Sequence, residues 1–349
     1  MIKSIHYMRG IAALMVFFYH ERAMLNGVYA QSNLGSLLFS NGYFGVDLFF
    51  MISGFVILLS TEKDGSASSF ALKRFFRIFP TYWFGILLMM GVIMITGAKE
   101  INASVVVKSL LLIPYDSTAV PPFFGFSLIS TAWTLTFEIL FYLIFMVSMT
   151  FSHKYRAEIC GAIITITFIV LFMLSDRESI LSAYARNNGV IFDNIFIFKI
   201  LASPMMLEFV FGMLVFKIRT HLSFINPFIL YVTSLVAVSM LYQLTGHGPL
   251  GVAIPCAIIF ICAILIEQKS PINNSGALNT LGDLSYSFYI THPITLLFLH
   301  SFKIPFYSDK GIASMLLVLS ICLFVSWVIH VAIEKRAIYL ARRLNKAHI

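Results

Sequence analysis

About ten apolar stretches recur along this chain, each close to the roughly 20 helical residues needed to cross a hydrocarbon layer. They lie near 5–25, 42–61, 78–97, 128–150, 158–175, 201–217, 226–244, 249–267, 283–301 and 312–333. A soluble core could not absorb so much apolar surface: of 349 residues 59% are hydrophobic and 11% charged, and the mean hydropathy is +0.89. The expected fold is an all-α integral membrane protein, a bundle of about ten transmembrane helices. Pro204, Pro293 and buried polar residues interrupt the sixth and ninth stretches, and eleven crossings would also fit the pattern. No linker, repeat or shift in composition divides the sequence, so 1–349 reads as a single membrane domain ending in a basic tail, 335–349.

The net charge of +8 does not form one patch. With a cytoplasmic N-terminus and ten crossings, the inward segments hold Lys3, Arg9, Lys63, Lys73, Arg74, Arg77, Lys154, Arg156, Lys217, Arg219, Lys269, Lys335, Arg336, Arg342, Arg343 and Lys346. That majority of the 24 Lys and Arg follows the positive-inside rule and places both termini in the cytoplasm. The tail then reads as an anchor on anionic lipid headgroups, and no nucleic-acid partner is indicated. Met1–His20 carries Arg9 and lacks a small-residue cleavage site, so it is a retained helix rather than a signal peptide. Cys160, Cys256, Cys262 and Cys322 all fall in apolar stretches without a CxxC pair and read as packing residues. No residue pattern indicates a metal. The 105–113 stretch is too short to span and suits the membrane interface.

Function therefore has to come from ionisable groups inside the spans, which lipid tolerates only where they face protein or water. These are Arg9, His20, Asp47, Glu138, Glu208, Asp283, His292 and His330. Asp283, at a helix entrance, and His330, near the inner end of the last helix, read as structural. Arg9 and His20 are eleven residues apart, about three helical turns, so one face of the first helix is polar at two depths roughly 16 Å apart. His20 lies in the outer third, where an imidazole can take a proton near neutral pH. In the inner connection 61–76, Lys73 and Arg74, with Arg77 one turn on, precede an aromatic entrance at Tyr82 and Trp83. Two guanidinium forks there would clamp phosphate oxygens, though snorkelling to the membrane surface explains them equally well. Thr134, Glu138 and Tyr142 share a face of the fourth helix near mid-membrane, and Ser285, Tyr289 and His292 share one of the ninth. Pro293 frees a backbone carbonyl for a polar neighbour.

Taken in order, these segments resemble acyltransferase family 3, membrane O-acyltransferases of bacterial surface polysaccharides. The resemblance rests on Arg9 with ten residues before His20, the segment Gly42 to Phe55, and Arg74-Phe75-Phe76-Arg77-Ile78-Phe79-Pro80. It continues through Trp133 to Tyr142, Glu208 with Phe211-Gly212-Met213, and Ser285 to Pro293. Each is weak alone; six in order are strong. The wording of Trp133 to Glu138 is most similar to stand-alone exopolysaccharide acetyltransferases, with no fused periplasmic domain expected after the last span.

The resemblance implies a protein of the bacterial cytoplasmic membrane that uses an acyl-CoA, usually acetyl-CoA, as donor, with no permanently bound cofactor. The acceptor would be a hydroxyl of a carbohydrate or glycolipid. Arg74 and Arg77, with Lys73, would hold the donor phosphates; His20 would be the general base; Arg9 would steady the donor arm or the oxyanion. His20 needs a partner, for which Glu138 and Asp47 are the candidates, the deeper Glu138 being favoured. Asp47 could instead bind the acceptor or shape the Gly45 to Gly54 backbone. Ser53 and Gly54 read as sites of close helix packing. Trp133, Tyr142, Ser285 and His292 are expected to line the substrate site, with His292 equally suited to the core. Direct transfer and an acyl-histidine relay both fit. The competing classes are a proton-coupled transporter, which would lack coenzyme A dependence, and the other membrane-bound O-acyltransferase superfamily, which also uses a buried His but not this order of motifs.

Overall fold

The computed structural model describes residues 2–98, 100–116, 118–176, 179–187, 192, 195–302 and 305–347, and among them every regular element is helical. The principal helices are α1 (Lys3–Glu21), α2 (Phe44–Ser60), α3 (Ala67–Thr96), α4 (Trp133–Phe151), α5 (Arg156–Met173), α6 (Met206–Ile218), α7 (Pro227–Gln243), α8 (Ala253–Lys269), α9 (Gly276–Ser301), α10 (Ile312–Ile329) and α11 (Lys335–Ala347). Each expected span coincides with one of α1 to α10. By length and apolar composition alone, five segments suffice to cross a membrane: 34–60, 67–96, 130–151, 156–173 and 312–345. Of the others, α7 is apolar but only 17 residues long, and α6 has 13 residues. A short helix, Ala103–Leu110, stands where the 105–113 stretch was read. Lys99, part of the 175–199 connection and the last two tail residues lie outside the described residues.

The boundary that bears on the site is the start of α3, at Ala67 rather than 78. The connection after α2 is short, because Ser66 caps α3 by accepting the Ser69 amide at 3.2 Å. Lys73, Arg74 and Arg77 therefore stand inside the first turns of α3, fixed by helical geometry rather than carried on a loop.

Backbone contact organises the middle of the bundle. A Cβ at Gly54 would sit 2.0 Å from the Phe209 carbonyl oxygen, and one at Gly212 would sit 2.0 Å from that of Met51, so α2 and α6 touch through reciprocal glycines. Glycine also admits α1 to α2, where a Cβ at Gly45 would meet the Ala12 carbonyl at 2.4 Å. Stacked rings fill the space beside the α2–α6 contact, Phe50 on Phe209 at 4.6 Å and Phe209 on Phe141 at 4.4 Å. Large apolar side chains point outward, among them Leu87, Leu235 and Phe324, each more than 60% exposed, as suits a face solvated by hydrocarbon. At the last turn of α10, residues 330–334 wind as a π turn, with the Lys335 amide bonded to the His330 carbonyl. That extra residue per turn redirects the chain into α11, which packs against α3.

Candidate active site

A cavity opens between α1, α2, α3, α4 and α9. It is lined by Arg9, Ser53, Arg74, Arg77, Thr134, Glu138, Tyr142, Ser285, Tyr286 and Tyr289, with Phe49, Phe50 and neighbouring apolar groups. Arg74 and Arg77 stand at the end where α1 begins, termed the lower end; Thr134 and Tyr289 stand toward the upper end, where α1 finishes at His20. The faces read from helical spacing are the lining: Thr134, Glu138 and Tyr142 from α4, and Ser285 and Tyr289 from α9. The free space is about 120 Å³, well under the roughly 300–1,000 Å³ that encloses a drug-sized ligand. It fits a slender chain.

Both arginines are held. Arg74 donates from Nη2 to the Ser60 hydroxyl at 2.5 Å and lies over the Phe70 and Tyr142 rings. Arg77 pairs with Glu334, a fully buried carboxylate that also accepts from Ser287 Oγ at 2.5 Å and His330 Nδ1 at 2.9 Å. This network is what the π turn positions: it brings His330 and Glu334, four residues apart, onto the lower mouth. Glu334 was invisible as a site residue in the sequence, where it stands at the head of a basic tail. Lys73 is turned away from the cavity and pairs with Asp64 at 2.6 Å.

Glu138 is not the partner of His20. Its Oε1 accepts from Tyr142 OH at 2.5 Å and from Ser53 Oγ at 3.2 Å, inside the cavity and among the cations. Ser53 is thus a polar ligand of Glu138 rather than a packing residue, whereas Gly54 is a packing residue. Asp47 is not a partner of His20 either. Fully buried in the first turn of α2, it accepts from the Gly248 amide at 2.8 Å and bonds His247 Nδ1 at 2.7 Å. It fastens the connection between α7 and α8 onto the bundle. Trp133, expected at the substrate, packs against that same histidine with ring centroids 5.6 Å apart and is not part of the cavity lining. Glu208 is buried with its carboxyl against that of Asp47, and no other group among the described residues bonds it.

His20 has a different neighbour, His292, at 5.5 Å between ring centroids. His292 Nδ1 donates to the Phe288 carbonyl at 2.9 Å, so the tautomer is fixed and Nε2 keeps its lone pair, which is buried and without a partner among the described residues. His292 also lies 6.2 Å from the Tyr289 ring, the upper wall of the cavity. Pro293 cannot donate to the Tyr289 carbonyl, and Thr131 Oγ1 donates there instead at 3.1 Å. The Tyr289 hydroxyl meets Thr134 Oγ1 at 3.1 Å. The spacing of α9 brings Tyr289 and His292 together; that His292 rather than an acid stands beside His20 depends on the α1–α9 pairing, which no local pattern encodes.

The result is a helical bundle with a narrow cleft that carries two arginines at its lower mouth and has a histidine pair beyond its upper wall. The profile of acyltransferase family 3, an acyltransferase domain, matches residues 2–331, and the chain belongs to that family. It is 26% identical over 275 residues to the exopolysaccharide production protein ExoZ of Rhizobium meliloti (strain 1021), 74% of this chain and 78% of that one. It is 25% identical over 323 residues to the acyltransferase MdmB of Streptomyces mycarofaciens, covering 86% and 80% of the two chains. Nodulation protein 10 of Rhizobium leguminosarum bv. viciae is 33% identical over 156 residues, 39% of this chain and 41% of its own. No solved structure matches at a significant level.

Proposed function

We propose that this acyltransferase moves an acyl group, acetyl in the first instance, from acyl-CoA on the cytoplasmic side to a hydroxyl of a surface polysaccharide or its lipid-linked precursor. The observation that carries the reading is the cavity's polarity, with Arg74 and Arg77 at its lower mouth and the His20–His292 pair beyond its upper wall. The lower end is then the cytoplasmic one. The pyrophosphate of the donor sits at the two guanidinium groups, and the pantetheine arm threads the cleft past Glu138 and Tyr289. His20 takes the proton of the acceptor hydroxyl as its oxygen attacks the thioester carbonyl; the C–O bond forms, the C–S bond breaks, and the coenzyme A thiolate leaves and is reprotonated from His20. Arg9, which lines the cleft, steadies the donor arm or the oxyanion. His292, its tautomer fixed by the Phe288 carbonyl, orients His20 in the role first sought among the carboxylates. Membership of the family supports the transfer, and the name of the Rhizobium meliloti relative supports an exopolysaccharide acceptor.

The test is saturable stabilisation of the purified protein in detergent by acetyl-CoA. Arg74→Ala is the informative variant, because Arg74 makes no ion pair among the described residues that its removal would orphan. Stabilisation that weakens in Arg74→Ala is expected. A wild type that acetyl-CoA does not stabilise would overturn the donor assignment.

A further inference from the structure

The cleft holds a slender arm but not a nucleotide, so a coenzyme A donor leaves its adenosine and 3′-phosphate outside the lower mouth. Two basins open there, of about 230 Å³ and about 440 Å³, both lined by Arg77. Helix α11 borders both through Ile338 and Arg342. We infer that Arg342, on α11, binds the 3′-phosphate of the donor's nucleotide, making the C-terminal helix part of the donor site. The inference rests on the acyl-CoA reading above.

Arg77 and Arg342 are the basic side chains that line both basins, and charge accounting favours Arg342. In the smaller basin Lys73 is neutralised by Asp64 and Arg77 by Glu334, and Arg74 is tied to a serine hydroxyl. Arg342 makes no ion pair or hydrogen bond among the described residues. The larger basin adds Lys335 and the unpartnered, buried Nε2 of His330; its acid, Asp283, stands 3.4 Å from His6. A phosphate dianion entering here meets cations without displacing a carboxylate from Arg342.

Helix geometry separates this role from membrane anchoring. Ala337 and Ala341 are buried, consistent with the packing of α11 on α3. Lys335, Ile338, Tyr339 and Arg342 fall on one helix face, each three or four residues from two of the others, and line the larger basin. Arg336 and Arg343 share the same seven-residue spacing one position later, about 100° around the helix, and belong to neither basin. That second pair stands clear of both basins and serves as the comparison for headgroup anchoring. The family match ends at residue 331, so α11 lies beyond the segment by which the family is defined.

A nucleotide phosphate and a lipid headgroup share this chemistry, and binding of coenzyme A and 3′-dephospho-coenzyme A to the full chain in neutral detergent distinguishes them. Wild type is expected to prefer coenzyme A by about ten-fold, the scale of one charge-assisted contact. Arg342→Ala is expected to lose that preference by weakening coenzyme A alone, and Arg336→Ala/Arg343→Ala to keep it. The inference is overturned if Arg342→Ala binds both ligands as wild type does, if it weakens both equally, or if the Arg336/Arg343 variant loses as much. Wild type that binds neither ligand would refute the acyl-CoA reading itself, and this inference with it.

Discussion

Glu334 shows how one buried carboxylate sets the character of the cavity mouth. It is fully buried and satisfied by Arg77, Ser287 and His330. Arg77, by contrast, is 24% exposed at its side chain and can reach water when released. Glu334→Gln is therefore expected to destabilise the protein by about 1–3 kcal/mol, less than the roughly 3–5 kcal/mol seen when a wholly buried pair is broken. Thermal melting in detergent checks this, and Arg77→Met/Glu334→Gln should recover part of the loss, since no charge is then orphaned. A single variant as stable as wild type would contradict the network. Lys73 is a second tethered cation: its ammonium, and then the Ser69 hydroxyl, hold the Asp64 carboxyl down at about 2. A depressed carboxylate contributes above its unfolded value near 4 and loses that contribution as pH falls through about 2, so the tether stays intact across the physiological range. Asp64→Asn should free Lys73 and tighten acetyl-CoA binding a few-fold at low salt, an effect that fades at high ionic strength; binding unchanged at both salts would count against it.

Among helices, the reciprocal glycine contact of α2 with α6 is the least forgiving join. Gly54→Ala or Gly212→Ala would put a methyl group against backbone that cannot yield as a side chain does, with an expected loss of about 1–3 kcal/mol or more. Melting of the two variants tests it, and wild-type stability in both would show that the helices are not in backbone contact. The clasp at Asp47 belongs to the same scale. Asp47→Ala should strip protection from the Gly248 amide in hydrogen exchange while leaving the amides of α4 unchanged; retained protection would mean that the connection holds without its carboxylate. The helices were legible because hydrophobic stretches of that length have few alternatives, with five of them long and apolar enough to cross a membrane, and the cavity-lining faces of α4 and of α9 at Ser285 and Tyr289 were legible because helical spacing is rigid. That Glu138 and Tyr142 share a face was legible from helical spacing, but the bond from Ser53 was not, because it depends on which helices pack together. His247 escaped notice because its partner Asp47 is two hundred residues away and it lies in a connection, where no periodicity marks a buried residue.

For the whole molecule, the proposed reaction brings its two substrates to opposite ends of the cleft. Cations gather at the lower mouth, the interior is narrow, and the histidine pair stands at the far end. The basic residues at that mouth stand out in the sequence; that α11 closes the lower end does not, because a basic amphipathic helix reads the same whether it meets lipid or a cleft. The measurement that tests the central claim most directly is acyl transfer by the reconstituted protein, with labelled acetyl-CoA as donor and envelope glycans from cells lacking the protein as acceptor. Wild type should label the glycan, and His20→Ala should fall by about 10²–10⁴-fold, the range of a lost general base, while still binding acetyl-CoA. Labelling that survives His20→Ala at the wild-type rate, in a protein that remains folded, would contradict the account.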